Sequence, residues 1–115
     1  MTQGKGGQMR ELAMILMLWP GVVLADGWQQ LTGDQIADAL TSRLVVFPDG
    51  VAQYFLDDGR TVRAGGWGEW RVDGDLYCEI WSGKRPICAQ VDSDGPGLRF
   101  REDSGFTRAG SYGDL

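Results

Sequence analysis

The sequence predicts a mainly β domain. It is expected to be an antiparallel meander of seven to eight short strands, forming a small barrel or sandwich, with one N-terminal helix packed on it. Three observations carry this reading. Short apolar segments recur with turn signals between them about every 8–12 residues, the spacing of all-β folds. The chain holds 18 glycines but 4 prolines, and the glycines punctuate the apolar segments as turn residues do. Both cysteines and three of the five tryptophans fall in one stretch, residues 67–88, which reads as three consecutive strands.

Residues 1–25 read as a leader rather than as part of that fold. Lys5 and Arg10 give a weakly positive start, and residues 12–24 are almost unbroken apolar sequence. Val23, Leu24 and Ala25 follow as a small-residue cleavage site, completing the pattern of a secretory signal peptide. The apolar run is short of the roughly 20 residues of a membrane-spanning helix, and Pro20 and Gly21 would interrupt one. Met9 is an alternative start that gives a tighter leader. The expected domains are therefore 1–25, a signal peptide, and 26–115, a single exported β-domain. Contact with the membrane is expected only transiently, through the leader.

Composition bounds what such a domain can do. The chain has 11 basic and 16 acidic side chains and a net charge of −5. Loss of Lys5, Arg10 and Glu11 with the leader makes it slightly more acidic. No basic run is present, so nucleic acid is not an expected partner. The chain has no histidine, which removes histidine-based nucleophilic catalysis and histidine metal sites.

The predicted helix spans residues 33–41. Thr32 is its cap and Gln35 lies three residues on, a capping box. Leu31 before the cap and Ile36 at the fourth helical position have the spacing of a hydrophobic staple. Ile36, Ala37 and Leu40 form one apolar stripe, with Asp34 near the positive end of the helix dipole. A helix this short is marginal alone, so it must lie on the sheet, plugging an open end or covering a face.

The strands follow in order. Residues 43–47 are rich in β-formers, and Pro48-Asp49-Gly50 turns the chain into 51–56. Asp57-Asp58-Gly59 leads to 60–63. Ala64-Gly65-Gly66 reads as the loosest point, a loop or a bend at a barrel corner. Residues 67–72, 76–81 and 86–91 form the central strands, joined through Asp73-Gly74 and 82–85. A turn over 92–97 leads to 98–101, and Asp103-Ser104-Gly105 to a weak last strand at 106–109. The tail 111–115 is expected to fray.

Cys78 and Cys88 lie symmetrically about Gly83. A hairpin turning there sets them opposite each other, with Cα atoms about 4.5 Å apart in a non-hydrogen-bonded pair, so a disulfide is predicted. Alternation sorts the neighbouring side chains. Trp70, Val72, Leu76, Cys78 and Ile80 are assigned to the core face. Trp67, Glu69, Arg71, Tyr77, Glu79 and Trp81 are assigned to a partly exposed face, where they would form an aromatic patch rimmed by charge. This is the candidate binding surface, because Trp, Tyr and Arg are enriched at interface hot spots. Ordinary cross-strand pairing is the structural reading of the same residues.

The run from Gly66 to Cys78 contains Gly68-x-Trp70-x-Val72-x-Gly74 followed by Cys78. It resembles the G-x-W-x-V-x-G-x-x-x-C core of small exported bacterial domains without assigned activity. Phe47-Pro48-Asp49-Gly50 and Tyr54-Phe55 match the strand that precedes that core. The resemblance covers residues 44–100 and implies a strand–turn–strand with its tryptophan in the core. It brings no catalytic residue with it.

Other chemistry is poorly supported. Glu69 and Glu79 could face each other on adjacent strands as the carboxylate pair of a hydrolase. Asp92, Asp94, Gly97 and Asp103 have partial calcium-loop spacing, but Pro96 stands where a side-chain ligand is needed. No catalytic residue, metal or cofactor is expected. Three functions remain: a periplasmic or secreted binding module for a small apolar ligand or a protein partner, a structural or envelope-stress protein without a ligand, and a carboxylate-based hydrolase.

Overall fold

The structure, a computed structural model, describes residues 22–23 and 27–114. The predicted leader lies outside the described residues except for Val22–Val23. That pair forms strand β1, which runs antiparallel to β2, Gln29–Gln30. The helix α1 spans Gly33–Leu40. Eight strands follow: β3 Arg43–Val46, β4 Ala52–Phe55, β5 Arg60–Arg63, β6 Gly66–Asp73, β7 Leu76–Trp81, β8 Ile87–Ser93, β9 Gly97–Glu102 and β10 Thr107–Tyr112. Each pairs antiparallel with the next, and β10 returns to pair with β3. The expected meander is thus a closed barrel rather than a sandwich. Closure leaves no unpaired strand edge among these eight. The short β2 pairs with Ser93 and Asp92 of β8 outside the ring.

One end of the barrel is plugged. The helix carries the predicted capping box in full: Gln35 N–H donates to Thr32 Oγ1, and Thr32 N–H donates to Gln35 Oε1. Its apolar stripe faces the barrel, with Ile36 and Leu40 fully buried, and it packs against β3, β6 and β7. Gly33 N–H donates to Asp75 Oδ1 at 2.8 Å, which pins the helix start to the β6–β7 turn. Gly33 has no room for a side chain there, because a Cβ would collide with the Gly74 carbonyl.

The first two residues of the expected frayed tail, Ser111 and Tyr112, instead belong to the strand that closes the barrel. Ser111 and Tyr112 pair with Val46 and Val45. The Tyr112 hydroxyl donates to the Ala39 carbonyl at 2.8 Å, and Gly113 N–H donates to the Leu44 carbonyl. Polar composition hid this, because the segment is held by backbone pairing and one phenol rather than by a run of apolar side chains.

The barrel centre is an aromatic layer. Tyr77 packs on Phe55, Trp70 and Phe100 with ring centroids 5.9, 6.4 and 5.2 Å away. Aromatic pairs of this kind contribute about 0.5–1.5 kcal/mol each beyond area burial. Val45, Val91 and Leu98 complete the apolar filling.

Two local expectations are corrected. The central hairpin was read with Val72 and Leu76 on one face, which requires an odd number of connecting residues. The observed turn has two, with Asp73 opposite Leu76 and Val72 opposite Tyr77. Gly74 takes φ +62° at its first central position, as two-residue turns with leading glycine require. A one-residue slip of this kind exchanges the two faces of a strand. Tyr77, Glu79 and Trp81 therefore point into the barrel with Gly68, Trp70 and Val72, while Leu76, Cys78 and Ile80 line the outer wall. The second correction is at Ala64-Gly65. It is a tight two-residue turn with both φ angles positive, +50° and +80°, flanked by the Arg63–Gly66 pair.

The disulfide forms as predicted. Cys78 is directly opposite Cys88, with Cα atoms 4.1 Å apart. Asp92, considered as a calcium-loop residue, is buried. It takes Arg99 Nε on Oδ2 at 2.8 Å and Arg101 Nε on the same oxygen at 2.6 Å.

Candidate functional site

The end opposite the helix is open. The 47–51 connection, Ala64, the start of β8 at Ile87 and Phe106 line a cavity of about 670 Å³. Its walls are apolar, with Phe47, Val51, Ile87 and Phe106, and its floor is charged, with Arg63, Glu79 and Arg108. Ile87 and Phe106 are 39% and 56% exposed, although both are large apolar side chains that burial would favour.

Each floor residue is aimed inward by strand alternation. Glu79 lies opposite Trp70 on the inner side of β7. Arg108 lies opposite Phe100 on β10, and Arg63 lies two residues beyond the buried Thr61 on β5. Glu79 is the hub, 4% exposed. Its Oε1 accepts from the Tyr77 hydroxyl at 2.6 Å and from Arg108 Nη2 at 3.4 Å. Its Oε2 accepts from Trp81 Nε1 at 2.7 Å and lies 3.6 Å from Arg63 Nη1. Gln53 bridges the network, donating to Thr61 Oγ1 at 3.0 Å and accepting from Arg63 Nη1 at 3.3 Å. The guanidinium of Arg63 stacks on Trp81 at 4.5 Å, and that of Arg108 on Phe47 at 4.5 Å.

These contacts set the protonation states. Burial works to raise the Glu79 carboxyl, but hydrogen bonds from Trp81 and Tyr77 and the charges of Arg108 and Arg63 outweigh it and hold it below the ordinary carboxylate range. Glu79 is therefore ionised at neutral pH. The Tyr77 phenol is pushed well above its usual value, first by burial and then by the neighbouring Glu79 charge. Burial lowers Arg108, partly offset by Glu79. A carboxyl held ionised in this way is not poised as a general acid.

The six predicted site residues separate into two groups. Tyr77, Glu79 and Trp81 enter the barrel, where Glu79 reaches the cavity floor and the other two hold it. Trp67, Glu69 and Arg71 remain on the outer wall, and Trp67 is 55% exposed with Arg60 stacked over it at 5.1 Å. The single aromatic patch does not form. Nor does the carboxylate pair, because Glu69 lies opposite Ile80 and faces away from Glu79.

Sequence reasoning missed Gln53, Thr61, Arg63 and Arg108. The signal was present only as alternation: Thr61 and Arg63 share a parity, and the apolar Val62 between them faces the outer wall, opposite Trp67. Among the described residues no helix is long and apolar enough to cross a membrane, and no three acidic or cysteine side chains gather as a metal site. Comparison with families of known proteins, with characterised proteins and with solved structures finds no match.

Proposed function

We propose that the chain is an exported, non-enzymatic binding module that holds a small, largely apolar ligand in the mouth of its barrel. The observation that carries this reading is the open cavity with Ile87 and Phe106 exposed on its apolar wall. A cavity of a few hundred Å³ with apolar walls and a few convergent polar groups is the usual form of a small-molecule site. Export is supported by the leader pattern of residues 1–25, by the likeness of the Gly66–Cys78 stretch to exported domains, and by the disulfide, which persists in oxidising compartments.

The test is titration with Nile red, a neutral apolar dye. The wild-type protein is expected to bind it saturably at one site, and Phe106→Asp or Ile87→Asp to weaken binding about tenfold, since each removes a buried apolar contact. Trp67→Ser, on the outer wall, is expected to leave binding unchanged. A wild-type protein that binds no dye would favour a structural role without a ligand. Loss of binding in the Trp67 variant alone would move the site to the outer wall.

A further inference from the structure

We infer that the mouth takes an amphipathic anion, with a carboxylate head held by Arg63 and Arg108 and an apolar chain lying along Phe47, Ile87 and Phe106. This rests on the binding reading above and names its ligand class.

The first argument is donor supply. Each guanidinium carries five N–H donors. Among the described residues, Arg108 commits one hydrogen bond, to Glu79 at 3.4 Å, and Arg63 one, to Gln53 at 3.3 Å. Arg63 also lies 3.6 Å from Glu79. These distances exceed the roughly 2.7–2.9 Å of a good charge-assisted bond. Yet both side chains are largely withdrawn from water, at 28% and 21% exposure. They are partly desolvated cations with acceptors still to find. The outer wall shows the same chemistry satisfied: Arg99 and Arg101 close on Asp92 at 2.8 and 2.6 Å.

The second argument is charge. Deep in the mouth, two arginines face one carboxylate, and that carboxylate already accepts from Tyr77, Trp81, Arg108 and Gln53, with Arg63 3.6 Å away. Among the described residues, the two guanidiniums share Glu79 alone within ion-pair distance. Two acids also line the mouth. Asp49 is exposed and accepts from its own turn at Val51 N–H, and Glu102 is half-buried on β9, where its charge acts on Arg108. Water screens the exposed Asp49 strongly, and neither acid lies within ion-pair distance of the guanidiniums.

The third argument is geometry. Arg63 approaches Glu79 Oε2 and Arg108 approaches Oε1, so the two bracket the buried carboxylate and both border the cavity. Stacking on Trp81 and Phe47 occupies the guanidinium faces and leaves their N–H edges for hydrogen bonds. A carboxylate offers two oxygens in the plane those edges favour. An ammonium would meet two like charges.

The test compares three ligands of one chain length in displacement of Nile red from the wild-type protein, below their micelle concentrations: decanoate, decanol and decylammonium. Decanoate is expected to bind about tenfold or more tighter than decanol, the worth of a charge-assisted hydrogen bond, with decylammonium weakest. Arg108→Met or Arg63→Met is expected to weaken decanoate more than decanol, narrowing the gap between the two. Equal binding of decanoate and decanol, or preference for decylammonium, overturns the anion inference while the apolar mouth stands. Failure of the wild-type protein to bind Nile red or any of the three overturns both. The wild-type comparison alone decides the matter should either variant fail to fold.

Discussion

The Tyr77 hydroxyl donates to Glu79 Oε1 at 2.6 Å, two residues along the same inward-facing side of β7. A phenol at the centre of the aromatic layer thus meets a carboxylate at the floor of the mouth. The apolar half of the barrel joins the charged half at this bond. Glu79 should therefore matter to stability and to binding alike. Glu79→Gln would leave Arg63 and Arg108 without their counter-charge in a largely buried setting. Removing one partner of a buried pair costs about 3–5 kcal/mol, and the partial exposure of both arginines reduces that to about 2–3 kcal/mol here. The check is the urea midpoint of the variant against wild type at neutral pH.

The pH dependence of that difference follows from the depressed carboxyl. Glu79 loses its proton more readily folded than unfolded, because Trp81, Tyr77, Arg108 and Arg63 favour the charged form despite burial. Its contribution is fully present above the unfolded carboxylate value, about 4.3. It is lost as pH falls through the lower folded value. Wild type and Glu79→Gln should therefore differ in stability by a constant amount from pH 7 to about pH 5 and converge in stronger acid. A gap that persists undiminished in acid would show that the charge of Glu79 is not what holds the network. The raised Tyr77 phenol acts in the opposite sense: its contribution is full below the ordinary tyrosine value and is lost as pH rises through its higher folded value. Its phenolate absorbance should appear only as the barrel opens in strong alkali.

Gly68 should be intolerant of any side chain. It lies opposite Trp81, and an added Cβ would come within 2.6 Å of the indole and 2.8 Å of the Ile80 carbonyl. The indole must then move, and with it the Nε1 bond to Glu79. Gly68→Ala is expected to cost about 1–3 kcal/mol, the range for forced repacking, and to shift the tryptophan emission. An unchanged spectrum with unchanged stability would mean that Trp81 does not rest on Gly68.

The fold was legible because turn chemistry and backbone pairing agree along the chain. The capping box at Thr32 and Gln35, the hairpin glycines and the symmetry of Cys78 and Cys88 about Gly83 are local signals that nothing distant overrides. The site was half legible, for a physical reason. Hydrophobic alternation assigns faces correctly only where the interior is apolar. In the mouth half of the barrel the interior holds Gln53, Thr61, Arg63, Glu79 and Arg108, while Val62 pairs with Trp67 on the outer wall. The rule then points the wrong way, and with it went the assignment of Tyr77, Glu79 and Trp81 to the outer face.

The Ala64-Gly65 turn offers a gain rather than a loss. Ala64 holds φ +50°, a left-handed conformation that costs a residue with a Cβ about 1–2 kcal/mol. Asn adopts it more readily, and Asn-Gly is the favoured pair for two-residue turns with both φ angles positive. Ala64→Asn is expected to raise stability by about 0.5–1 kcal/mol, seen as a higher melting temperature. Because Ala64 borders the mouth, Nile red titration of the same variant would show whether the added amide also reaches the ligand.

Reduction of the Cys78–Cys88 bond should weaken the protein without opening the barrel. The cysteines are ten residues apart, and closing so short a loop stabilises by no more than about 3 kcal/mol in the chain-entropy model. The register it would fix is fixed already. Strand β7 is held to β6 by six paired positions and β8 to β9 by five, and a slip would have to break both ladders and turn Tyr77 and Glu79 out of the interior. The reduced protein, or a Cys78→Ser, Cys88→Ser double variant, is therefore expected to keep its β-sheet circular dichroism and its Nile red binding. Its urea midpoint should fall while the slope of the transition changes little. Loss of dye binding on reduction, with secondary structure retained, would mean instead that the bond positions the mouth, since Cys88 adjoins Ile87 on the cavity wall.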